Sequence, residues 1–320
     1  MHAETIQRLA DRIRLNVGQV IVGKEAIVDK LIIAIIASGH VLLEDVPGTG
    51  KTLLAKAVAR SIDGIFKRIQ FTPDLLPSDL SGIHYYNQKL SEFEFRPGPI
   101  FANIVLADEI NRATPRTQSS LLECMEERQI SIDGTTHQLA KPFLVIATQN
   151  PVEQQGTFPL PEAQLDRFLF KIQMGYPSTD EGLHILQRFM AANPLEQLGP
   201  VVSGAELEAA QREYTAVQVR EELLRYVLAI VEATRSHEDA ALGVSPRGSQ
   251  ALLRASQVHA ALQGRDYVLP DDIKALAVPV LAHRIVVRSS QRLKKDASIS
   301  IVESVLRQVP VPADSPLVSK

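Results

Sequence analysis

The stretch that decides the fold runs from Val41 to Thr52 and reads Val-Leu-Leu-Glu-Asp-Val-Pro-Gly-Thr-Gly-Lys-Thr. Its apolar beginning is typical of a strand buried on both faces of a parallel sheet, and residues 51–60 have helical composition and spacing. Gly48 and Gly50 can adopt positive φ angles, which lets backbone N–H groups surround phosphates at the positive end of the following helix. The stretch therefore predicts a strand, a phosphate-binding loop and a helix.

The loop contains the side chains that a bound nucleotide and its metal ion require. Lys51 is placed to neutralise the β and γ phosphates, and the Thr52 hydroxyl is placed to ligate Mg²⁺, as in Gly-x-x-x-x-Gly-Lys-Ser/Thr loops. Asp45 stands where that motif has its first glycine, so the beginning of the loop must tolerate a side chain. The predicted nucleotide contacts in the loop are Pro47, Gly48, Thr49, Gly50, Lys51 and Thr52.

The composition of the chain limits its class. Its 320 residues suggest about two domains, and 34 Lys plus Arg against 37 Asp plus Glu give a net charge of −3, which offers no general surface for nucleic acid. The single cysteine, Cys124, excludes internal disulfides and fits a reducing compartment. The most apolar run, residues 31–43, is too short to span a membrane, and no cleavable signal is visible, so we expect a cytoplasmic protein without membrane insertion.

A second apolar strand ends in two adjacent carboxylates, Asp108 and Glu109. Ligand sites of parallel sheets lie at the carboxyl ends of the strands, so both acids should arrive beside the phosphate loop. Asp108 is predicted to hold the Mg²⁺ shell, and Glu109 to orient and polarise the attacking water. Asn150 follows the apolar strand 143–147 at the same edge, where its amide can help to position the water.

The segment ahead of the loop has two interpretations. Residues 3–17 and 24–38 have helical spacing, and an apolar Val-Ile-Val segment lies between them, ending at Val22 and Gly23. Val22 and Gly23 either line an adenine pocket or belong to an ordinary core segment, and the sequence leaves both open.

Further strands and helices follow in chain order. Residues 66–70 and 168–173 are predicted strands, whereas 83–95 and 130–139 alternate around turns and predict β-hairpins, the second with an Asp-Gly turn. Strand signals end near Ser178, and the helical segments after it are 181–192, 203–214, 219–235, 247–263 and 270–283. We therefore predict an α/β nucleotide-binding domain with a parallel sheet and two hairpin inserts over 1–176, and a smaller all-α lid domain over 177–320.

Two short motifs lie in the second domain. Ser245-Pro246-Arg247 opens a helix, where a cation is unfavourable unless an anion such as a γ-phosphate compensates it; a solvated arginine is the alternative. Asp-Ala-Ser-Ile-Ser at 296–300 matches the Asp-x-Ser-x-Ser metal site of von Willebrand factor A domains. Too few residues follow for such a domain, so we interpret it as a surface turn.

These motifs resemble those of AAA+ ATPases, in the order Gly50-Lys51-Thr52, Asp108-Glu109, Asn150, Arg167 and Arg247. The stretches 42–52, 107–113, 147–151 and 161–168 are similar to the MoxR family, and the resemblance covers residues 20–285. It implies the roles of Walker A, Walker B, sensor 1, arginine finger and sensor 2, in that order. For Arg167, a structural salt bridge with Asp166 or Glu162 is the alternative.

The resemblance also implies an assembly and a role. It implies a homo-oligomeric ring, usually of six subunits, with ATP and Mg²⁺ bound at each subunit interface. It further implies chaperone-like maturation of protein clients, often with a von Willebrand factor A partner. Residues 83–95 would then be the helix-2 insert.

Two other functions compete with this interpretation. A DNA-translocating AAA+ motor would share both inserts, but the hairpin 130–139 contains no Lys or Arg with which to contact phosphates. A monomeric nucleotide kinase or GTPase switch gives no reason for a helical lid that opens on Arg247, or for Arg167.

Overall fold

The computed structural model describes residues 2–45, 48–151, 156–190, 194–288 and 296–312. Contacts divide the chain into two compact units, one formed by Arg8–Arg212 and the other by Met1–Gln7 together with Glu213–Lys320. Within the described ranges, no helix combines the length and the apolar character that crossing a membrane requires.

The first unit is organised by a parallel sheet. Its described strands are β1 (Val41–Glu44), β2 (Phe66–Gln70), β3 (Gly82–Asn87), β4 (Glu92–Pro97), β5 (Ile104–Asp108), β6 (Gln129–Ile132), β7 (Thr135–Gln138), β8 (Leu144–Gln149) and β9 (Phe170–Ile172). Five of them form the sheet, in the order β2-β5-β8-β1-β9, and all neighbours are parallel. β5 is buried at every residue, which explains its unbroken apolar sequence. The predicted parallel sheet is confirmed.

The two predicted hairpins are also present. β3 pairs with β4, and β6 pairs with β7 across the Asp133-Gly134 turn. The hairpins contact each other, because His84 bonds to the Asp133 carboxylate at 2.8 Å and the Phe95 ring stacks on His137 with centroids 4.7 Å apart.

Helices accompany the sheet in the first unit. In chain order they are α1 (His2–Gly18), which belongs to this unit from Arg8 onward, α2 (Glu25–Ile36), α3 (Lys51–Ser61), α4 (Pro77–Ser81), α5 (Pro115–Glu127), α6 (Glu162–Leu165), α7 (Thr179–Phe189), α8 (Pro194–Gln197) and α9 (Gly204–Glu213), which belongs to it up to Arg212. An apolar core joins β5 and β8 to α5, through residues such as Val105, Val145 and Leu121. This core fixes the strands whose carboxyl ends carry the predicted site.

Long-range hydrogen bonds attach the segment around α8 and α9 to the first unit. Arg12 of α1 donates to the Val201 carbonyl at 2.9 Å, and the Asn16 amide donates to the Gly199 carbonyl at 3.0 Å. The boundary between the two units therefore falls after Arg212. This is later in the chain than residue 176, after which strands give way to helices. The domain limits 1–176 and 177–320 stay a prediction.

The second unit is mostly helical. It contains α10 (Glu221–Ser236), β10 (Ala240–Leu242), α11 (Pro246–Leu262), α12 (Pro270–Leu281), β11 (Val286–Val287) and α13 (Ala297–Gln308). The expectation of helices alone missed the antiparallel pair β10–β11, because strands of two or three residues carry no readable alternation. Asp296 was expected in a surface turn, but it stands at the N-cap of α13, with a φ of 65°.

Candidate active site at the carboxyl end of the sheet

A cavity of about 450 Å³ lies where β1, β2, β5 and β8 end. Its lining brings together Gly48, Gly50, Lys51, Thr52, Leu53, Arg68, Gln70, Asp108, Glu109, Thr148, Gln149 and Asn150. The phosphate loop, both predicted carboxylates and Asn150 thus share one space, as the position of ligand sites in parallel sheets requires.

The loop has a backbone suited to phosphate. Gly48 and Gly50 have φ angles of 85° and 89°, which side chains rarely adopt, and a Cβ added at either would meet no atom within 4 Å. Both glycines therefore expose their backbone to open space, directly before α3 begins at Lys51. Pro47 lies outside the described residues, and Thr49, between the two glycines, does not line the cavity.

Asp45, the residue in place of the first motif glycine, holds the beginning of the loop. Its carboxylate accepts the backbone N–H groups of Met174 and Gly175, at 3.1 and 2.8 Å, just after β9. Its carbonyl accepts the Lys51 ammonium at 3.1 Å. The departure from the motif therefore supplies a contact to the neighbouring strand that a glycine cannot make.

Asp108 ends β5 as a nearly buried carboxylate with both oxygens bonded. Thr148 donates to Oδ1 at 2.6 Å, and the Arg68 guanidinium donates to Oδ2 at 2.6 and 3.1 Å. Thr52 lines the same cavity. Hydroxyl and carboxylate oxygens, with room for phosphate oxygens and water, are the donor set that Mg²⁺ prefers, so these residues fit the ion.

Glu109 has an unusual backbone. Its φ and ψ of 57° and 50° are left-handed, which costs about 1–2 kcal/mol for a residue with a side chain. Its N–H donates to the Thr148 hydroxyl at 2.9 Å, and its carboxylate accepts from Gln70 at 2.8 Å and Arg112 at 3.1 Å. Such strain is concentrated at functional sites.

Other predicted site residues lie apart from the cavity lining. Arg167 pairs with Glu126 of α5 at 2.9 Å, and not with Asp166 or Glu162, the partners in the alternative of a structural salt bridge. Val22 is half-buried, and Gly23, at a φ of 69°, is approached so closely by the Glu181 side chain that a Cβ would overlap it. Close packing thus accounts for Gly23, and the adenine contact stays a prediction.

Arg247 belongs to the second unit. It is exposed on the first turn of α11, whose N-cap is Ser245 and whose first residue is Pro246, as predicted. Its role toward a nucleotide stays a prediction.

Sequence reasoning missed four polar residues that line the cavity, Arg68, Gln70, Thr148 and Gln149. Arg68 and Gln70 lie two residues apart on β2, and Thr148 lies inside an apolar strand. The signal for Arg68 and Gln70 was their position on one face of the predicted strand 66–70, by the period of two, whereas Thr148 and Gln149 follow the predicted strand 143–147.

Comparison with known proteins identifies the family. Residues 40–170 match the model of the ATPase family associated with various cellular activities, and residues 232–304 match the AAA lid domain. The chain is 42% identical to Chaperone MoxR1 of Mycobacterium tuberculosis over 94% of this chain and 82% of that one. The chain belongs to the MoxR family of AAA+ ATPases.

Other relatives agree with this result. YeaC of Bacillus subtilis, an uncharacterized protein, is 51% identical over 97% of each chain, and MoxR of Paracoccus denitrificans is 32% identical over 92% of this chain and 94% of that one. A solved structure from Cytophaga hutchinsonii, described as a candidate ATPase, superposes with a TM-score of 0.91 at 40% identity, covering 98% of this chain and 97% of that one. The chain is thus an ATPase with the AAA+ fold and a helical lid.

Proposed function

We propose that this MoxR-family ATPase hydrolyses Mg²⁺-bound ATP as a hexameric ring and uses the energy for chaperone-like remodelling of protein clients, or for their maturation by insertion of a cofactor or metal. The observation that carries the proposal is the shared cavity, in which Lys51, Thr52, Asp108, Glu109 and Asn150 line one space. A phosphate loop with a lysine, two carboxylates and an amide at strand ends is the arrangement that phosphoryl transfer requires.

The residues of the cavity would divide the work. Mg²⁺-bound ATP would supply the γ-phosphoryl group with part of its charge neutralised. Lys51 and the loop N–H groups would bind phosphate oxygens, while Thr52 and Asp108 would hold the metal shell. Glu109 accepts the proton of the attacking water, and Asn150 orients that water.

Two arginines would connect the reaction to the assembly and the lid. Arg167 is exposed enough, with about a third of its side chain in solvent, to contact a neighbouring subunit. There it would act in trans and stabilise charge that develops on the γ-phosphate. Arg247 would act in cis and contact the γ-phosphate from the lid.

The client side of the proposal rests on the family. MoxR1 is named a chaperone, which supports protein clients for this chain as well. A von Willebrand factor A protein is proposed as the accessory partner. The β6–β7 hairpin contains no Lys or Arg, which argues against a contact with nucleic-acid phosphates.

The decisive experiment separates binding from turnover. Purified Glu109→Gln should bind ATP with an affinity near that of the original chain but scarcely hydrolyse it, whereas Lys51→Ala should lose affinity, because the loop binds the nucleotide and the glutamate acts only on water. Glu123→Gln, the same change at an exposed position of α5, is the matched control and should behave as the original chain. Ordinary turnover by Glu109→Gln would overturn the assignment.

The same variant can identify clients. An ATP-bound ring that does not turn over should retain them, so a pull-down with Glu109→Gln, compared with Lys51→Ala, should enrich a client and any accessory protein. Equal recovery with both variants would contradict nucleotide-dependent client binding.

A further inference from the structure

The Thr148 hydroxyl lies between the Asp108 carboxylate and the backbone N–H of Glu109. It donates its proton to Asp108 Oδ1 at 2.6 Å and accepts the N–H of Glu109 at 2.9 Å, so it is used in both directions. Thr148 is 1% exposed. One buried oxygen atom therefore contacts both residues of the proposed catalytic pair.

The position of Thr148 on the sheet explains this contact. The paired register of β5 and β8 ends at Ala107 opposite Ala147, one residue before Asp108 and Thr148. There the backbone of Glu109 turns left-handed, and its N–H meets the threonine side chain instead of a strand carbonyl. On its other side β8 pairs with β1, where Thr148 is opposite Leu43, so the backbone of Thr148 is held by the loop strand as well.

The other partners of the two carboxylates are much more exposed. The Arg68 side chain, on the second oxygen of Asp108, is 48% exposed, and the Arg112 side chain, on Glu109, is 39% exposed. Exposed side chains can exchange partners when a charged ligand enters, because water and ions compete for them. Thr148, held inside the sheet, cannot move in the same way.

We propose that Thr148 is a positioning residue that sets the direction of Asp108 and the left-handed backbone of Glu109 before nucleotide binds. The proposal rests on the proposed function and deepens it. The hydroxyl holds Oδ1 of Asp108, the oxygen that Arg68 does not contact. It thereby orients the carboxylate toward the metal shell. By accepting the Glu109 N–H, it also determines where the Glu109 side chain leaves the backbone.

The test removes the hydroxyl with little change of shape. Thr148→Val keeps the branched side chain but leaves the Glu109 N–H without an acceptor, and Thr148→Ser keeps the hydroxyl. Thr117→Val is the matched control, because Thr117 is also 1% exposed and donates its hydroxyl to the Leu75 carbonyl at 2.7 Å, a contact away from the carboxylates. Each variant is measured for melting temperature, ATP affinity with and without Mg²⁺, and turnover.

We expect a pattern that loss of folding stability alone would not produce. Thr148→Val should lower turnover by about 100-fold, the scale of a small misplacement of catalytic groups, and should reduce the gain in ATP affinity that Mg²⁺ gives. Its affinity without Mg²⁺ should be unchanged, because the loop is intact. Thr148→Ser should recover most of the turnover, and Thr117→Val should lower the melting temperature without changing turnover.

Three outcomes overturn the proposal. The proposal is refuted if folded Thr148→Val, or folded Thr148→Ala, turns over ATP at the original rate with an unchanged Mg²⁺ effect. Equal losses of turnover in Thr148→Val and Thr117→Val also refute it. If Thr148→Val and Thr148→Ala both fail to fold while Thr148→Ser and Thr117→Val fold, the hydroxyl is required for folding and the proposed positioning role is wrong. Failure of the proposed function is distinguishable, because the original chain would then lack turnover.

Discussion

We predict that His40, the buried histidine just before β1, makes the folded state less stable at mildly acidic pH. Its ring is buried, and Nδ1 accepts the Val145 N–H at 3.0 Å while Nε2 bonds to the Met125 carbonyl at 2.9 Å. Because Val145 can only donate, Nδ1 must be unprotonated and Nε2 must carry the hydrogen. An added proton on Nδ1 would face the Val145 N–H. The neutral ring thus joins the strand of the phosphate loop to β8 and α5.

The size of the effect follows from the pKa. Burial first, and then the nearby Arg128 cation, lower the pKa of His40 from 6.5 to about 3, although the bond to the Met125 carbonyl raises it. Between these values the unfolded chain binds a proton that the folded chain does not, so stability rises with pH and is complete above 6.5. At 1.36 kcal/mol per pH unit, the folded state should lose about 2 kcal/mol between pH 6.5 and pH 5 through His40 alone.

The assay compares urea unfolding at about pH 7 and pH 5. The chain contains no tryptophan, so far-ultraviolet circular dichroism is the suitable signal. His40→Asn cannot titrate and should lose this part of the pH dependence, so its fall in stability should be about 2 kcal/mol smaller than that of the original chain. His184→Asn, at an exposed histidine of α7, is the control and should leave the pH dependence unchanged. Equal pH dependence in the original chain and in His40→Asn would refute a buried neutral imidazole.

Three further predictions concern the loop and the second unit. Asp45→Gly restores the motif glycine but removes the acceptor of two backbone N–H groups, so calorimetry should find weaker ATP binding than in Asp45→Asn, which keeps an accepting oxygen; equal affinities would contradict this. Burial alone would raise the pKa of Asp272, but hydrogen bonds from His259, Arg265 and a backbone N–H lower it to about 2. Asp272→Ala should therefore cost about 3–5 kcal/mol in urea unfolding near neutral pH, and a loss below 1 kcal/mol would exclude a buried ion pair that stabilises α11 and α12. Small-angle scattering should show a more compact chain with ATP than with ADP, and Arg247→Ala should abolish that difference; no difference in the original chain would count against a lid that senses the γ-phosphate.

The sequence predicted the parts of the site that depend on local pattern. The apolar strand before Gly48, the helix from Lys51 and the carboxylates after the strand at 104–107 each have a short signature, and the rule for parallel sheets brings them together. Those residues line one cavity in the structure.

The parts that were missed depend on contacts between distant residues. In the sequence Thr148 only follows an apolar strand, and its contacts with Asp108 and Glu109 depend on β8 lying beside β5. Arg68 and Gln70 become site residues only because β2 is the neighbour of β5. The contact of Arg167 with Glu126 joins residues 41 positions apart by number, since 167 − 126 = 41, and no local pattern encodes it. Tertiary packing, and not propensity, determined each of these.

The effect of Arg167 within one chain must be separated from its effect between chains. In the structure its guanidinium pairs with Glu126, so Arg167→Ala also leaves that carboxylate without this partner. Glu126→Gln weakens the same pair but keeps the guanidinium. If Arg167 acts in trans, Glu126→Gln should retain turnover, whereas a purely structural pair would make both variants equally defective.

The most direct test of a ring with shared sites is to mix two inactive variants. Arg167→Ala and Glu109→Gln should each be inactive alone, the first because an arginine finger contributes roughly 10³ to 10⁵ in rate and the second because it lacks the base. In a mixed ring some sites combine an intact Glu109 with the intact Arg167 of a neighbour, so the account predicts that turnover partly returns. Folded, co-assembled mixtures that stay as inactive as either variant would contradict it.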